Sequence, residues 1–534
     1  MLLALCGLLS CYSGSAQHYR WQQDDTTVTE SGGAQTAAVD NFGNMYVSAT
    51  QFTPSGLPGV TFLMKEDMNT GLIKWKKAIP GPSNETTITT DRKGNVYLFF
   101  PGHIAFNSDS YEILKTDSSG NIIWTKVVQA FGLTSYNWVA PYAITTDNFG
   151  YFYVSGWTNT SGITEGSDTL TAGPGQPFSF IVKYDTAGHK IWSKVFSATG
   201  YTTAPGIVAD QAGDLLVGAT TDSAVAFRDT TVALPFEGSA LIVAKCDSNL
   251  NLKWIAINKH TPNINFGDYI EKSVEITTDG AGNGYLALAL SGSDSLGNFP
   301  ISYSFIKDLA VAKYQSHTGN VQWALAGGVS TFFSLATNLS GNSYFVFSGG
   351  YSPHYFGDSV FSQGFSTPLG DATVVGLDSF GIIHCGFAVG GSLGDDEVGM
   401  AIDNAGFGYL YSDYKDSVQV GTTILRSPAS LMTLEEYFAA KFSCSGLNTE
   451  IHQVAVAADG PEIFPNPATN ELFIKTDNSI YTSFAVSNTL GQIVLQQSIN
   501  SPQTTTNVSA LPNGAYYVIL SGSNGRVVKK FMKM

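Results

Sequence analysis

The chain has 534 residues, of which 25 are Tyr, 33 are Phe and 56 are Gly, but only 13% carry a charge. Few charges and many aromatic side chains exclude a largely disordered protein. The formal net charge of −16 excludes a nucleic-acid binder that relies on a basic face, because phosphate contacts need clustered Lys and Arg. After the N-terminus, no apolar run approaches the ~18 to 20 residues that span a bilayer.

The N-terminus, residues 1–16, has the pattern of a secretory signal peptide. A short apolar core around Leu2 to Leu9 is followed by small residues that end at Ala16. This pattern predicts signal-peptidase cleavage after Ala16, so that the mature chain begins at Gln17. The segment from Leu8 to Cys11 offers an alternative, because it loosely resembles the box in which a lipoprotein cysteine is lipidated.

Residues 17–448 form a repeat, whose first half-motif is Asp-x-x-Gly-Asn-x-Tyr-Val. An aspartate folds its carboxylate back onto backbone donors in such a turn, and glycine supplies the positive φ. The motif therefore predicts a hairpin turn between two short strands in each copy. Its acidic residue stands at Asp40, Asp91, Asp147 and Asp279. Its glycine recurs at intervals of 51 to 69 residues, at Gly43, Gly94, Gly150, Gly213, Gly282, Gly341 and Gly406.

A second half-motif, Lys-x-Asp-x-x-Gly-Asn-x-x-Trp, predicts a second hairpin in each repeat. Two hairpins give four strands, which is the blade of a β-propeller, and seven copies predict seven blades. One tryptophan per blade is expected to pack between neighbouring sheets. The motif is clearest at Asp117, Gly120 and Trp124, and it recurs at Asp185, Gly188 and Trp192, at Asp247 and Trp254, and at Gly319 and Trp323.

The last repeat has no tryptophan after Lys441, whereas the N-terminus supplies one at Trp21. The strand around Trp21 is therefore predicted to complete the last blade and to close the ring. In the sixth repeat, Cys385 stands where tryptophan is expected, which we interpret as a local core substitution. The repeat resembles the SBBP-type β-propeller family of bacterial exported proteins over about residues 20–446. This resemblance implies an architecture and no particular activity.

The cysteines do not form a disulfide framework. Two of the five lie in the predicted signal peptide, and Cys246, Cys385 and Cys444 remain in the mature chain. An odd and sparse set is not typical of a small disulfide-rich domain. A bridge between Cys385 and Cys444 is compatible with the sequence, which does not decide it.

No catalytic residue, cofactor or metal ligand is predicted. Residues 390–394 match G-x-S-x-G, but they precede the Asp403 half-motif and are interpreted as a loop of the repeat, since a nucleophile elbow needs a strand that turns into a helix. Residues 66–75 resemble a quinoprotein propeller repeat without an adjacent Cys pair to support the cofactor. The eight His are scattered, and the Asp-x-x-Gly-Asn turns lack the third oxygen ligand of a calcium loop.

Residues 449–460 are predicted to be a linker and residues 461–534 a small Ig-like β-sandwich. Pro465 and Pro467 flank Asn466 and require an extended entry into this domain. The domain holds five basic and three acidic side chains, so the rest of the chain has a net charge of −18. Four stretches of alternating hydrophobicity are separated by turn formers and predict antiparallel strands at 471–474, 483–486, 493–495 and 516–520.

Several motifs of this tail occur in an order that resembles the C-terminal sorting domain of cargo of the type IX (Por) secretion system of Bacteroidetes. The resemblance implies recognition by the type IX machinery, export across the outer membrane, removal of the tail, and release or attachment at the cell surface. The residues that carry it are Pro465, Asn466, Pro467, Gly491, Gly514, Tyr516, Lys529 and Lys530.

Taken together, the sequence predicts an all-β protein, a seven-bladed β-propeller followed by a small sandwich, that is secreted or displayed at the surface. Tyr- and Phe-rich loops on one face favour a binding or adhesion module for an extracellular glycan or protein. The alternative is a secreted glycan hydrolase or lyase with a pair of carboxylates around the propeller channel. A purely structural adhesin, with neither a carboxylate pair nor a deep pocket, is the third interpretation. The ligand and the oligomeric state stay open.

Overall fold

The computed structural model contains only β-strands and turns in the residues that it describes, so the expectation of an all-β protein is confirmed for them. No helix in this part of the chain has the length and apolar character needed to cross a bilayer. The predicted signal peptide, the predicted linker and Gly491 lie outside the described residues. The described ranges are 21–25, 34–52, 58–80, 86–102, 110–132, 139–173, 176–198, 203–260, 274–290, 293–302, 308–329, 332–348, 354–356, 359–361, 372–391, 398–414, 417–420, 423–426, 436–444, 461–476, 481–488, 493–522 and 525–534.

The chain divides into two compact units, Met1–Asn448 and Thr449–Met534. The strands of the first unit are short and follow one another closely. They are β1 (Trp21–Asp25), β2 (Ala34–Val39), β3 (Asn44–Phe52), β4 (Pro58–Asp67), β5 (Ile73–Ile79), β6 (Thr87–Thr90), β7 (Val96–Pro101), β8 (Ser110–Thr116), β9 (Ile122–Phe131), β10 (Val139–Thr146), β11 (Tyr151–Thr158), β12 (Gly162–Glu165), β13 (Asp168–Leu170), β14 (Phe178–Asp185), β15 (Lys190–Ala198), β16 (Gly206–Ala209), β17 (Leu215–Thr221), β18 (Val225–Ala226), β19 (Thr231–Val232), β20 (Ser239–Cys246), β21 (Leu252–His260), β22 (Val274–Thr278), β23 (Gly284–Leu290), β24 (Ser293–Leu296), β25 (Phe299–Ser302), β26 (Asp308–Tyr314), β27 (Val321–Val329), β28 (Phe332–Thr337), β29 (Ser343–Ser348), β30 (His354–Phe356), β31 (Ser359–Phe361), β32 (Ala372–Leu377), β33 (Ile383–Gly391), β34 (Val398–Ile402), β35 (Gly408–Tyr414), β36 (Ser417–Val420), β37 (Thr423–Arg426) and β38 (Glu436–Phe442).

The described strands of the first unit form seven antiparallel sheets, called here the first to the seventh sheet, with four strands each in meander order. Further strands extend some of them, and β24 and β25 form a separate pair. From the innermost strand outwards, the sheets are β2-β3-β4-β5, β6-β7-β8-β9, β10-β11-β14-β15, β16-β17-β20-β21, β22-β23-β26-β27, β28-β29-β32-β33 and β34-β35-β38-β1.

The innermost strands of the seven sheets lie side by side around a central channel. β2 contacts β6, and the contacts continue through β10, β16, β22, β28 and β34, which contacts β2 again. The channel has a volume of about 360 Å³ and is lined by residues from all seven strands. Meander sheets arranged around a channel define a β-propeller, and the first unit has this fold.

The two ends of the first unit share one sheet. β1 is the outermost strand of the seventh sheet and pairs with β38, so that Trp21 lies opposite Lys441. The remaining strands of this sheet all come from the end of the unit. The backbone pairing of β1 therefore connects the beginning of the first unit to its last repeat.

Inserted hairpins cover the outer edges of several sheets. Each hairpin lies between the second and third strands of one sheet but pairs with the outermost strand of the preceding sheet. An exposed edge strand presents unpaired N–H and C=O groups, and these hairpins occupy them. The pairs are β12 with β9, β18 with β15, β30 with β27 and β36 with β33. No sequence motif predicted these contacts.

Each sheet has an inner turn between its first two strands, and the first six sheets have an outer turn between their last two. In the inner turn of the first sheet, Asp40 Oδ1 accepts the N–H groups of Phe42 at 2.8 Å and Asn44 at 2.9 Å, and Gly43 has a φ of 79°. The same pair of bonds forms in the inner turns that begin at Asp91, Asp147, Asp210, Asp279 and Asn338. It also forms in the outer turns that begin at Asp117, Asp185, Asp247 and Asp378. Positive φ is likewise found at Gly94, Gly120, Gly150, Gly188, Gly213, Gly282, Gly319, Gly341, Gly381 and Gly406.

A lysine on the third strand and a tryptophan on the fourth strand connect one sheet to the next. In the second sheet, Lys115 lies opposite Trp124. Lys115 Nζ and Trp124 Nε1 both donate to the carbonyl of Thr186, in the outer turn of the third sheet, at 2.8 and 3.2 Å. We call this arrangement the lysine link. The pair Lys183 and Trp192 makes the same two bonds to Ser248, and the pair Lys313 and Trp323 makes them to Ser379.

The lysine link also joins the seventh sheet to the first. Lys441 Nζ donates to the carbonyl of Met68, the second residue of the first outer turn, at 2.9 Å. Lys65 makes the corresponding bond from the first sheet to the carbonyl of Ser118, at 2.8 Å. The series of links therefore returns to the sheet where it begins.

Most of these lysines place their ammonium group over the ring of a buried tyrosine. The hydroxyl of Tyr97 donates to Asp91 Oδ2 at 3.3 Å, and Lys115 Nζ lies 4.8 Å from the centre of its ring. Burial, aided by the Asp91 charge, raises the pKa of Tyr97, so its hydroxyl remains a donor, while burial lowers the pKa of Lys115. Tyrosines that bond in the same way to their inner-turn aspartates and lie under a lysine are Tyr46, Tyr153, Tyr285 and Tyr409.

The sixth sheet replaces the lysine link with a disulfide. Gly376 lies opposite Cys385, where the other sheets have Lys and Trp. Cys385 is bonded to Cys444, which follows the last long strand of the seventh sheet, with a Cα separation of 5.7 Å. The interpretation of Cys385 as a core substitution was therefore incomplete, because the residue also joins two sheets covalently.

The second unit is a two-sheet β-sandwich. Its core is formed by Leu472 and Ile474 from one sheet and by Phe484, Val518 and Phe531 from the other. Its strands are β39 (Glu462–Phe464), β40 (Glu471–Lys475), β41 (Tyr481–Asn488), β42 (Ile493–Ser498), β43 (Gln503–Asn507), β44 (Gly514–Gly522) and β45 (Gly525–Lys533). The sheets have the orders β39-β40-β43 and β42-β41-β44-β45.

The substitution Lys183→Met tests the lysine link. We expect the free energy of unfolding to fall by about 1–3 kcal/mol, because the half-buried carbonyl of Ser248 loses a charged donor. Equilibrium denaturation in urea measures the change. Lys93→Met is the control, since Lys93 is exposed in an inner turn. Equal stability of the two variants would contradict the role of the link.

The double substitution Cys385→Ala with Cys444→Ala tests the disulfide. The bridge spans 59 residues of sequence, and loop-closure entropy gives an expected loss of about 2–4 kcal/mol. Thermal unfolding should show a lower Tm for the variant, and reductant should lower the Tm of the native chain in the same way. Cys246→Ala supplies the comparison, because Cys246 is a free buried thiol. Insensitivity of the native Tm to reductant would argue against the bridge.

Candidate functional site

The central channel is a space that the innermost strands of all seven sheets line. Its wall consists of consecutive residues of each innermost strand, with Thr, Ala, Val and Ile as the main residue types. Neighbouring innermost strands belong to different sheets, and side-chain hydroxyls connect them. Thr90 Oγ1 donates to the carbonyl of Val39 at 2.9 Å, and Thr146 Oγ1 donates to the carbonyl of Thr90 at 2.8 Å. Side-chain hydroxyls thus join neighbouring strands of the channel wall by hydrogen bonds.

Polar side chains converge where β22 begins. The Tyr142 hydroxyl donates to the carbonyl of Val274 at 2.6 Å and accepts the N–H of the same residue at 3.2 Å. It thereby connects the third sheet to the fifth. Next to it, Glu275 accepts the N–H of Leu335 at 2.9 Å and the hydroxyl of Ser334 at 3.4 Å. The carboxylate of Glu275 therefore connects the fifth sheet to the sixth.

Tyr411 lies on β35, and its side chain crosses the innermost strand β34 to line the channel. A Cβ atom at Gly399 would lie 1.9 Å from Cζ of Tyr411, so only glycine leaves room for this ring. The Tyr411 hydroxyl bonds to the backbone of Ala37 and the side chain of Thr36 on the first sheet. Burial raises the pKa of Tyr411, and its hydroxyl stays protonated at physiological pH.

Inner turns bridge the other end of the channel. Arg92 of the second sheet reaches Gln211 Oε1 of the fourth at 3.5 Å, and Asn148 of the third sheet donates to the same oxygen at 3.0 Å. The N–H of Gly280 donates to the carbonyl of Leu339 at 2.9 Å. These bonds join the turn tips of different sheets.

The channel wall has limited acid–base chemistry. Among the lining residues that the structure describes, Glu275 is the one carboxylate, whereas glycoside hydrolysis commonly uses two. Its oxygens accept bonds from Leu335 and Ser334, which suits a positioning or binding role. No group of three His, Cys, Asp or Glu side chains within the described ranges is placed to hold a metal ion.

The two other chemical motifs fall on elements of the repeat. Gly390 and Gly391 end β33 and pair with β36, while Ser392 lies outside the described residues. Residues 66–75 form the outer turn of the first sheet, in which Asp67 accepts the N–H of Asn69 at 2.9 Å. The described residues of the two segments contain no strand that turns into a helix.

Sequence reasoning did not identify Glu275, Tyr142 or Tyr411. A signal for Glu275 is present, because it lies four residues before the inner-turn Asp279. The equivalent residues of the other six repeats are small or uncharged: Thr36, Thr87, Ala143, Gly206, Ser334 and Gly399. Alignment of the repeats on their turn aspartates would have marked this one charge. Tyr142 and Tyr411 carry no such signal, because their partners belong to distant repeats.

In the second unit, Asn466 binds the last strand. Its side chain donates to the carbonyl of Lys530 at 3.1 Å and accepts the N–H of Met532 at 2.9 Å. Ala468 continues this contact through a bond from its N–H to the carbonyl of Met532 at 2.7 Å. The peptide bonds before Pro465 and Pro467 are both cis. The Pro-Asn-Pro segment thus holds the C-terminal strand along its edge.

The other predicted sorting residues lie on β44 and β45. The Tyr516 hydroxyl donates to the carbonyl of Pro512 at 3.0 Å, and its ring stacks on Phe531 with centroids 5.7 Å apart. Gly514 begins β44 opposite Lys533. Lys529 is half-buried and Lys530 is exposed on β45, so the basic pair does not belong to the core. The structure therefore places Asn466, Gly514 and Tyr516 beside β45.

Residues 462–534 match the family model of the secretion system C-terminal sorting domain. The chain is therefore a cargo of the type IX secretion system and is delivered to the cell surface or the medium. Its partner in export is the secretion machinery. No curated protein matches the chain significantly.

Solved structures with a similar course of the chain include BamB from Moraxella catarrhalis, at 14% identity and a TM-score of 0.33, with 77% of this chain and 85% of that chain covered. The β-propeller domain of Cps50 (Swd1) from Myceliophteria thermophila shares 10% identity at a TM-score of 0.38, with coverage of 77% and 96%. Puromycin hydrolase shares 12% identity at a TM-score of 0.41, with coverage of 86% and 61%. The assignment of the fold to this chain rests on its own strand order.

Deletion of Val527 to Met534 tests the sorting domain in the cell. It removes most of β45 and with it the partners of Asn466 and Ala468. We expect the first unit to fold, because it is a separate compact unit, but the chain to accumulate in the periplasm. Fractionation and immunoblotting of the native host measure this. Normal export of the truncated chain would contradict the role of the last strand.

Proposed function

We propose that the first unit is a seven-bladed β-propeller of SBBP-type repeats, closed by β1, and that the second unit is an Ig-like sorting module. The proposal is supported by the seven four-stranded sheets and by the lysine link from Lys441 back to the first sheet. Residues 1–16 are the signal peptide, and 449–460 are the linker in which the tail is removed. The mature chain, from Gln17 to this linker, is then the functional propeller.

We further propose that the propeller is an extracellular binding or adhesion module for a glycan or a protein. The observation that carries this proposal is the channel wall, which offers hydroxyls and a single described carboxylate in a fixed frame. Such a wall recognises a polar ligand by hydrogen bonds but has no described second carboxylate for hydrolysis. This favours binding over the alternative of a glycan hydrolase or lyase.

The binding face is expected at the end of the channel opposite the bridged inner turns. The sequence between the second and third strands of a sheet, which includes the inserted hairpins, is rich in aromatic residues, as in the stretch from Tyr351 to Phe365 between β29 and β32. Aromatic side chains on loops supply large contact area for saccharides and for proteins.

The test uses the protein purified from the culture medium, with its ends determined by mass spectrometry. We expect a chain that begins at Gln17, ends within 449–460 and binds at least one member of a glycan array or a panel of extracellular matrix proteins. Glu275→Gln should weaken binding of a ligand that enters the channel, and Glu237→Gln is the control on an exposed loop. Hydrolysis of any arrayed glycan, or absence of all binding, would overturn the proposal.

A further inference from the structure

The lysine link has a different form between the fourth and fifth sheets. In six repeats the sixth residue after the inner-turn acid or amide is tyrosine, but the fourth repeat has Leu216 there. Without a tyrosine hydroxyl, Lys245 Nζ binds Asp210 directly at 2.7 Å. Lys245 also donates to the carbonyl of Gly282 at 3.0 Å and the hydroxyl of Ser316 at 2.8 Å. Both charged side chains are almost fully buried, at 4% and 3% exposure.

Two more departures from the repeat lie at the same interface. Asp214 stands where four other repeats have asparagine, at Asn44, Asn95, Asn283 and Asn342. The outer turn of the fifth sheet begins with Gln315 instead of aspartate and closes with a bond from Gln315 N–H to Asn320 O. It is one residue longer than the outer turn at Asp117, which closes on Asn121, and has the length of the first outer turn, which closes from Asp67 to Leu72. Ser316 and the exposed His317 of this turn lie at the interface.

These departures surround a surface pocket of about 480 Å³. Its wall includes Asp214, Lys253 and His317, together with the indole of Trp254. The Trp254 ring is held in place, because its Nε1 donates to the carbonyl of Ser316 at 2.7 Å. The volume lies within the range of about 300–1,000 Å³ that is common for small-molecule sites. We call this space the fourth-sheet pocket.

The charges of the pocket are balanced. Both oxygens of Asp214 lie 2.6 Å from Lys253 Nζ, so this pair is neutral together. The three protons of the Lys245 ammonium are taken by Asp210, Gly282 and Ser316, and none is left for an anion. Neither an anion nor a cation therefore gains a net charge partner.

We propose that the fourth-sheet pocket binds a neutral saccharide. A pyranose ring presents C–H groups that pack on an aromatic face and hydroxyls that both donate and accept. The Trp254 indole supplies the aromatic surface, Asp214 accepts hydrogen bonds, and Lys253 and the imidazole of His317 supply donors. The pocket thus offers each of the contacts that such a ring uses. This inference rests on the proposed binding function and assigns it a ligand class and a place outside the channel.

The test is saturation-transfer NMR of the full chain with the methyl pyranosides of glucose, galactose, mannose and N-acetylglucosamine. We expect at least one to bind, and Asp214→Asn and Lys253→Ala each to weaken its Kd by about tenfold, as is typical for loss of a hydrogen bond to a charged group. Asp214→Asn introduces the residue of the other repeats, so the fold should be kept.

The matched control is Lys74→Ala. Lys74 has the same place before Trp75 as Lys253 has before Trp254, and it binds Asn44 Oδ1 at 2.7 Å. The repeat of Lys74 retains the tyrosine, at Tyr46. Loss of the Lys74 side chain should therefore leave the Kd of the pyranoside unchanged. An equal effect of Lys74→Ala and Lys253→Ala would overturn the inference.

The remaining outcomes separate this inference from the proposed function. If a pyranoside binds with a Kd that Asp214→Asn and Lys253→Ala do not change, the pocket is not the site, while the binding function stands. If no pyranoside binds but the chain binds a protein on the panel, the saccharide assignment falls and the binding function again stands. If nothing binds in either experiment, both fall.

Discussion

The bond from a buried lysine to the outer turn of the next sheet is the interaction on which the first unit depends. Burial of an ammonium group is costly unless it is hydrogen-bonded. Lys115 meets this requirement through the carbonyl of Thr186 and the ring of Tyr97. Because the carbonyl acceptor belongs to the neighbouring sheet, each of these lysines needs that sheet to complete its hydrogen bonds. Lys441 makes the corresponding bond to the first sheet.

This constraint explains which parts of the repeat are uniform and which vary. Inner and outer turns must present their carbonyls and carboxylates at fixed places, so most of them keep Asp and Gly. The segments between the second and third strands take no part in the lysine link, and they differ in length and include the inserted hairpins. Where the link itself changes, a different structure takes its place: a disulfide at Cys385 and a charge-balanced pocket at Asp214. A repeat in which the lysine link differs is thus a place to look for a functional site or for a cross-link that stabilises the fold.

Much of the local structure could be predicted because its causes lie within a few residues of sequence. Asp40 bonds to Phe42 and Asn44, and Gly43 supplies the backbone conformation between them. The sorting tail could be recognised for a similar reason, as its motifs are short and ordered. The channel residue Glu275 was missed, although it differs from its equivalents in every other repeat. The hairpin of β12 and β13 was missed because it pairs with the edge of another sheet.

The sequence by itself determined the all-β repeat, the turns that define its period and the address that directs the chain to the type IX pathway. These features depend on hydrogen bonds and strand alternation between near neighbours. The tertiary structure decided which carbonyl each lysine binds, which edge each hairpin covers and that Cys385 meets Cys444. The partners in these contacts lie mostly some fifty to seventy residues apart, or at opposite ends of the first unit, as for Lys441 and Met68. Only the packing of one sheet against the next brings them within bonding distance.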